Sequence, residues 1–338
     1  MRGEFDLIDT FFKRPLQRGD VLLGVGDDAA MLRVPPGQEL LVSIDTLVAG
    51  VHFFPDVDPR TLGYRALAVN LSDLAAMGAE PAWATLALTL PAIDTSWLAR
   101  FCEGFYTLAR DYNVALVGGN TTRGPLSITV QIHGFARADL VFRRAAAKVG
   151  DLIYVTGALG DAGLALHLMQ SGIAECSEAH RAYLRARLDC PTPRVREALG
   201  LRALVHAAID LSDGLYADLG HMLAASGVGA TIQLAELPQS EAFQACIQAP
   251  SVASMLKVED ALPWAELMLS AGDDYELCFT VAPGRAAAVE AVLKEFYCRY
   301  ARIGVIDAEP GFRCVHEDGA LYHPHRSGYD HFSAMPSA

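Results

Sequence analysis

The sequence predicts an α/β (α+β) protein of two domains, residues 1–148 and 149–338. Three observations lead there. The chain has 338 residues, enough for two ordinary domains with full cores. Apolar segments of strand length alternate with longer segments of helical length, the interleaving expected of mixed architectures. Between residues 143 and 150, small residues and the cations Arg143, Arg144 and Lys148 interrupt that alternation, after which it restarts.

In chain order, residues 40–46 read as a strand, because apolar and β-branched side chains alternate with shorter polar ones. Residues 59–77 read as a helix opening on Pro59, with Leu67, Leu71 and Leu74 as its apolar stripe. A strand at 83–90, a helix at 94–112 and strands at 114–117 and 126–135 complete the first half. After the break, a strand at 151–156 leads into a glycine-punctuated helix from Asp161. A helix from Pro193, a short apolar strand at 207–209 and a helix at 213–226 follow. The series ends with a strand at 275–281, a helix at 285–295 and a strand at 301–306.

Hydrophobic residues make up 52% of the chain and charged ones 20%, a globular rather than disordered composition. With 27 Lys+Arg against 40 Asp+Glu, the formal charge is −13. Such a surplus of acids excludes general nucleic-acid binding, which needs a positive field to replace phosphate counterions. The seven cysteines are scattered and nowhere form C-x-x-C, which excludes a disulfide framework or structural zinc site read from spacing. Met1-Arg2-Gly3-Glu4-Phe5-Asp6 carries acids where a signal peptide needs a basic and then an apolar stretch. No apolar run reaches the roughly 20 residues that span a bilayer. A cytoplasmic protein with no membrane contact is the expectation.

Four acidic clusters lie in or beside apolar segments: Gly26-Asp27-Asp28-Ala29, Ser43-Ile44-Asp45-Thr46, Asn70-Leu71-Ser72-Asp73 and Asp210-Leu211-Ser212-Asp213-Gly214. Strand alternation puts Leu41, Ser43 and Asp45 on one face, so Ser43 and Asp45 can bind one object together. Asn70 and Asp73 are three apart on a helix and share a face. Asp210 ends a buried strand, and Ser212 and Asp213 stand at a helix start. Three of the clusters also have a plainer role: a turn at Asp27-Asp28, a helix cap at Ser212 and Asp213, or a solvated helix edge at Asp73. Taken together they point further, because half-buried carboxylates are costly without cations and no basic residue lies in any of the four. Oxygen-only clusters of this type suit Mg²⁺.

Gly24-Val25-Gly26-Asp27-Asp28-Ala29 fits a dinucleotide fingerprint on paper, but two acids would face the pyrophosphate that such a loop must attract. No G-x-x-x-x-G-K-[ST] segment and no protein-kinase signature occurs, so any nucleotide chemistry is metal-led. The segment 118–124 (GGNTTRG) follows a strand and could offer backbone N–H groups to phosphate. The segment 157–163 reads as a structural turn into a helix. Arg143, Arg144 and Lys148 suit a polyphosphate tail or a solvated interdomain loop equally well.

The order of motifs carries more than any one of them. Gly3-Glu4-Phe5 with Leu7-Ile8 is followed by GDDAA at 26–30, SIDTLVAGVHF at 43–53 and NLSDLAAMGA at 70–79. Then come GGNTTRGPL at 118–126, IDLSDGL at 209–215, GDDYEL at 272–277 and GYDHF at 328–332. With these in place over nearly the whole length, the chain closely resembles the thiamine-monophosphate kinases, a branch of the aminoimidazole-ribonucleotide-synthetase-like ATP-binding superfamily. The resemblance implies a two-domain fold, with N-terminal strands contributing to a barrel in a homodimer. It implies ATP-dependent phosphorylation of thiamine monophosphate to thiamine diphosphate with several Mg²⁺ ions. By motif position, Asp28, Ser43, Asp45, Asp73, Asn120, Asp210 and Asp213 would carry metal. Tyr112, Gly119, Asn120, Arg144 and Ser212 would contact ATP, and His52, Asp273 and Tyr329 would face the thiamine substrate. An aromatic face and a carboxylate suit a cationic thiazolium. Tyr329 could equally anchor the C-terminal tail, and His52 could be a hydrogen-bonded histidine at a strand end.

Three positions depart from the family pattern. Asn120 stands where Asp is usual, keeping an acceptor oxygen but losing a charge. Ile44 replaces a hydroxyl that relatives carry. Asp273 stands where Glu is common, with a shorter reach. Two related activities are disfavoured by residues read directly. Selenophosphate synthetases use an N-terminal Cys or selenocysteine, yet no Cys precedes Cys102. The hydrogenase-maturation dehydratase ends in a reactive Cys, whereas this chain ends Met335-Pro336-Ser337-Ala338. A non-catalytic cation- or nucleotide-binding module is the alternative of a different class. The acceptor is a phosphate monoester with a second pKa near 6, already largely an anion at pH 7, so no general base is expected.

Overall fold

A computed structural model describes residues 3–15, 18–257 and 262–332. Met1-Arg2 and the closing Met335-Pro336-Ser337-Ala338 lie outside the described residues. The chain divides into two compact units, residues 1–141 and 142–338.

The first unit begins with a short helix α1 (Glu4–Leu7) and a two-strand ribbon of β1 (Val21–Leu23) and β2 (Met31–Leu32). There follow β3 (Glu39–Val48), α2 (Pro59–Ala76), β4 (Glu80–Leu90), α3 (Thr95–Asp111), β5 (Ala115–Arg123) and β6 (Ser127–Ala136). The main sheet has the order β3-β6-β4-β5; only β4 and β5 run parallel. Both long helices start where an aspartate satisfies their first N–H groups. Asp58 accepts from Arg60 N ahead of Pro59, and Asp94 accepts from Ser96 N and Trp97 N.

Helix α2 is buried on nearly every side, because it packs against the sheet on one flank and against α3 on the other. Gly63 and Gly104 make that crossing possible: a Cβ would lie 2.0 Å from Phe101 O at Gly63 and 1.8 Å from Arg60 O at Gly104. Gly63→Ala or Gly104→Ala therefore pushes two helices apart. The expected cost is at least about 1–3 kcal/mol, read as a lower urea midpoint; an unchanged midpoint contradicts the close approach.

The second unit contains β7 (Leu152–Thr156), α4 (Asp161–Ser171), α5 (Glu178–Asp189), α6 (Val195–Leu201), β8 (Val205–Asp210) and α7 (Leu215–Ser226). It continues with β9 (Gly229–Gln233), α8 (Glu241–Ile247), α9 (Pro250–Met255), α10 (Pro263–Ser270), β10 (Leu277–Val281), α11 (Ala286–Glu295), β11 (Tyr300–Asp307), β12 (Gly311–Val315) and β13 (Leu321–Tyr322). Its sheet order is β13-β12-β9-β11-β7-β10-β8, antiparallel except for β12 with β9. Ile153, Val155, Ile209, Leu211, Leu215, Phe243, Met268 and Ile303 form part of one buried core beneath the helices. Both units thus mix helices with largely antiparallel sheets, the α+β form of the predicted class. Among the described residues, no helix is long and apolar enough to cross a membrane.

Two predicted elements need correction. The segment 118–124 is not a loop after a strand: β5 continues through it to Arg123, because β4 supplies a parallel ladder from Trp83 to Leu90. The strand predicted from residue 275 begins at Leu277 instead, because Tyr275 holds a left-handed φ of 48° that no strand accommodates.

Candidate active site

In the first unit, β3 and α2 bring the second and third acidic clusters together. Burial alternates along β3, with Leu41, Ser43, Asp45 and Leu47 on the sheltered face and Leu40, Val42, Ile44 and Thr46 exposed. Ser43 Oγ donates a short hydrogen bond to Asp73 Oδ2, joining strand to helix. Asn70 shares the helix but serves differently: it is buried, and its amide donates to Ala66 O at 3.0 Å. Its Oδ1 is left without a hydrogen-bond partner among the described residues. Leu67, Leu71 and Leu74 are buried as the apolar stripe.

The first cluster forms the turn that its residues allow: Asp27 and Asp28 are exposed, and Asp27 Oδ1 accepts from Asp28 N at 3.0 Å. Gly119 and Asn120 lie on the edge strand β5, level with Leu86 and Ala87. At Gly119, where φ is 152°, a Cβ would lie 1.9 Å from Leu86 O, so no other residue fits. Tyr112 is the C-terminal cap of α3. His52 closes the turn after β3: its Nδ1 accepts from Val48 N at 3.0 Å, which places the ring proton on Nε2. A cavity of about 550 Å³ in this unit is lined by Phe11, Arg14, Cys102, Tyr106, Arg110 and Leu116 among others; none of the sequence candidates lines it.

In the second unit, three motifs far apart in sequence meet at one loop. Asp210 ends β8, buried, and the chain turns through Ser212 and Asp213 into α7. Asp273 N donates to Ser212 O and Tyr275 N to Leu211 O, each at 2.8 Å, while Leu211 N donates to Glu276 O at 2.9 Å. Tyr329 N donates to Asp213 O at 3.0 Å, which docks the C-terminal motif on the same loop. Tyr329 is half-exposed, and its hydroxyl lies 3.4 Å from His331 Nδ1. Arg143, Arg144 and Lys148 are all exposed; Arg144 carbonyl accepts from Ser226 Oγ.

Ser212 and Asp213 do not cap α7. Gly214 is the N-cap residue, with φ 114° and no side chain to offer. The work passes to Asp218, inside the helix, whose Oδ2 accepts from Asp213 N at 3.0 Å and Gly214 N at 3.1 Å. Burial, then the neighbouring Asp213 charge, push Asp218 up to about 7 against those bonds. Asp213 is itself raised, mainly by burial, with His221 and His331 pulling the other way. Asp218 was not singled out from sequence; its signal is an acid five residues after another at a glycine-marked helix start.

The second unit also buries acids that read as plain motif neighbours. Asp274 accepts from Gly160 N through both oxygens, at 3.0 and 3.1 Å, and burial raises its pKa well above the usual range. Asp161 is pushed up to about 6 by burial, with the Ser240 hydroxyl on its Oδ1 as partial compensation. Glu276, with no exposed surface, is gripped by Arg194 through Nε at 2.5 Å and Nη2 at 2.7 Å. Arg187 Nη2 adds a contact at 2.6 Å and Thr156 Oγ1 another at 2.6 Å. Burial alone would raise Glu276, but the two guanidinium groups win and hold it low.

Among the described residues, no three His, Cys, Asp or Glu side chains converge as a ready-made metal site. The donors on offer are nevertheless all oxygen: carboxylates, the Ser43 hydroxyl and the Asn120 amide. The unpartnered Asn70 Oδ1, one helix turn before Asp73, is an acceptor of the kind a hydrated cation complements. Such a set fits Mg²⁺, which keeps waters and takes only one or two carboxylates with substrate phosphates.

Comparison with known proteins accords with this arrangement. Residues 26–136 match the AIR synthase related protein N-terminal domain, and residues 148–317 match its C-terminal domain. The thiamine-monophosphate kinase of Escherichia coli K12 is 47% identical over 332 residues, covering 98% of each chain. The crystal structure of the thiamine-monophosphate kinase of Stenotrophomonas maltophilia superposes with a TM-score of 0.80 at 44% identity, covering 88% of this chain and 92% of that one. AaThiL complexed with AMPPCP and TMP superposes with a TM-score of 0.76 at 30% identity, covering 91% and 92%.

Proposed function

Since the chain belongs to the AIR synthase-related proteins and, within them, to the thiamine-monophosphate kinases, we propose that it transfers the γ-phosphoryl group of ATP to thiamine monophosphate, giving thiamine diphosphate and ADP. The full-length match to an enzyme of that name carries the reading. The relative that binds AMPPCP, an ATP analogue, together with TMP supports the choice of both substrates.

In this reading residues 1–148 form the metal- and ATP-binding, dimerising domain, and 149–338 the second domain. Asp28, Ser43, Asp45, Asp73 and Asn120, with Asp210 and Asp213, hold Mg²⁺. When bound, Mg²⁺ offsets the repulsion between two polyanions and the charge developing in transfer. The chain's own groups do the rest. Ser43 fixes one oxygen of Asp73 by hydrogen bonding and so orients the other. Gly119 and Asn120, Tyr112, Ser212 and the exposed cation Arg144 hold ATP. His52 faces the acceptor, Asp273 offers a carboxylate to the thiazolium cation, and Tyr329 an aromatic face. No side chain needs to remove a proton, because the attacking phosphate is already ionised. Alignment, not acid–base catalysis, is what the residues contribute.

A homodimer fits the exposed apolar residues of β3: Leu40, Val42 and Ile44 are 44%, 50% and 60% accessible on one face. A cytoplasmic setting fits cysteines that are all unbridged among the described residues. The test is purified protein with ATP, Mg²⁺ and either thiamine monophosphate or thiamine. Thiamine diphosphate from the monophosphate alone is expected. Product from free thiamine indicates a pyrophosphokinase, and binding of ATP without ADP release indicates a non-catalytic module; either overturns the reading.

A further inference from the structure

The segment 271–276 that carries Asp273 is built against its own preferences. Gly272, Asp273 and Tyr275 all sit at positive φ, at 73°, 60° and 48°. Left-handed backbone at two non-glycine residues so close together persists only where the surroundings over-determine it. The surroundings act from beneath. Side chains alternate along the segment, with Asp274 and Glu276 at 2% and 0% exposure and Asp273 and Tyr275 more open. Glu276 ties the far end to Arg187 and Arg194. Between the two strained residues, whose own N–H groups donate to Ser212 O and Leu211 O, the Asp274 side chain reaches down, and both its oxygens take the Gly160 N–H at the N-terminus of α4. A helix N-terminus favours an acceptor there.

We propose that Asp274 is a positioning residue for the acceptor substrate: by anchoring the segment to Gly160 it fixes the left-handed turn that presents Asp273. The inference rests on the reading above, in which Asp273 meets the thiamine moiety. It gives Asp274 an effect on one substrate only, since it acts through Asp273. Asn keeps the shape and the acceptor oxygen, whereas Ala keeps neither.

The experiment is steady-state kinetics of the full chain with ATP, Mg²⁺ and thiamine monophosphate. Asp274→Ala raises KM for thiamine monophosphate by at least about tenfold while KM for ATP stays within about twofold. Asp274→Asn restores KM for thiamine monophosphate to near the wild-type value. In an Asp273→Ala background, Asp274→Ala adds no further rise. Asp307→Ala, which removes contacts to Thr231 and Arg313 elsewhere in the unit, lowers the thermal midpoint without this change in KM. If Asp274→Ala does not fold, Asp274→Ser takes its place in the same comparison. An unchanged KM, an equal rise for both substrates, an Asn variant as impaired as Ala, or an undiminished effect in the Asp273→Ala background overturns the inference. A wild-type protein that leaves thiamine monophosphate untouched overturns the parent reading and the inference with it, an outcome told apart by the wild-type control.

Discussion

A Glu276→Ala variant loses about 3–5 kcal/mol of unfolding free energy in the second unit, the scale on which broken buried ion pairs destabilise. The reason is what remains. Arg194 and Arg187 are mostly buried around Glu276, and alanine leaves both charges facing a cavity. Domains hold only about 5–15 kcal/mol in all, so urea unfolding followed by circular dichroism shows a greatly lowered midpoint. A loss below about 1 kcal/mol would mean that these ion pairs are not what holds α5 and the start of α6 to the segment leading into β10. The pH dependence has a definite sign. Glu276 is lowered in the native state from its ordinary 4.5, so its stabilising contribution is complete above about 4.5. It disappears as pH falls through the lower native value, so the gap between wild type and Glu276→Gln narrows in acid.

Asp45→Asn and Asp73→Asn each reduce kcat by at least about 10²–10³-fold, a magnitude typical of losing one electrostatic stabiliser of the transition state, with little change in the unfolding midpoint. Asp73 receives the Ser43 hydroxyl as an acceptor, and an asparagine oxygen accepts the same bond, so strand and helix stay joined. What disappears is the charge proposed to hold Mg²⁺. Measured in saturating Mg²⁺, near-normal turnover would remove both residues from the metal assignment. A loss of folding in step with activity would make them structural.

The features legible from sequence were those with local causes. The period-two pattern of β3 exposed Ser43 and Asp45 as one face, and Pro59 and Asp94 marked the starts of α2 and α3. The continuation of β5 through Gly118 and Gly119 was hidden, because glycine is a poor strand former and the ladder with β4 supplies the missing preference. Helix α5 was missed because it is polar, with only Leu184 and Leu188 buried. The acids were the hardest to rank. Asp27 and Asp28 are exposed, whereas Asp274 and Glu276, in a motif of similar appearance, are buried. Only contacts distant in sequence, Gly160 with Asp274 and Arg194 with Glu276, separate ligand-facing carboxylates from structural ones. The family pattern named candidate site residues without telling which acids support the others.

The most direct measurement follows a chirally labelled γ-phosphoryl group from ATP into product. Direct transfer predicts the label on the terminal phosphate of thiamine diphosphate with its configuration inverted, and no labelled protein in a rapid quench. Retention of configuration, or a phosphoprotein trapped during turnover, would contradict it.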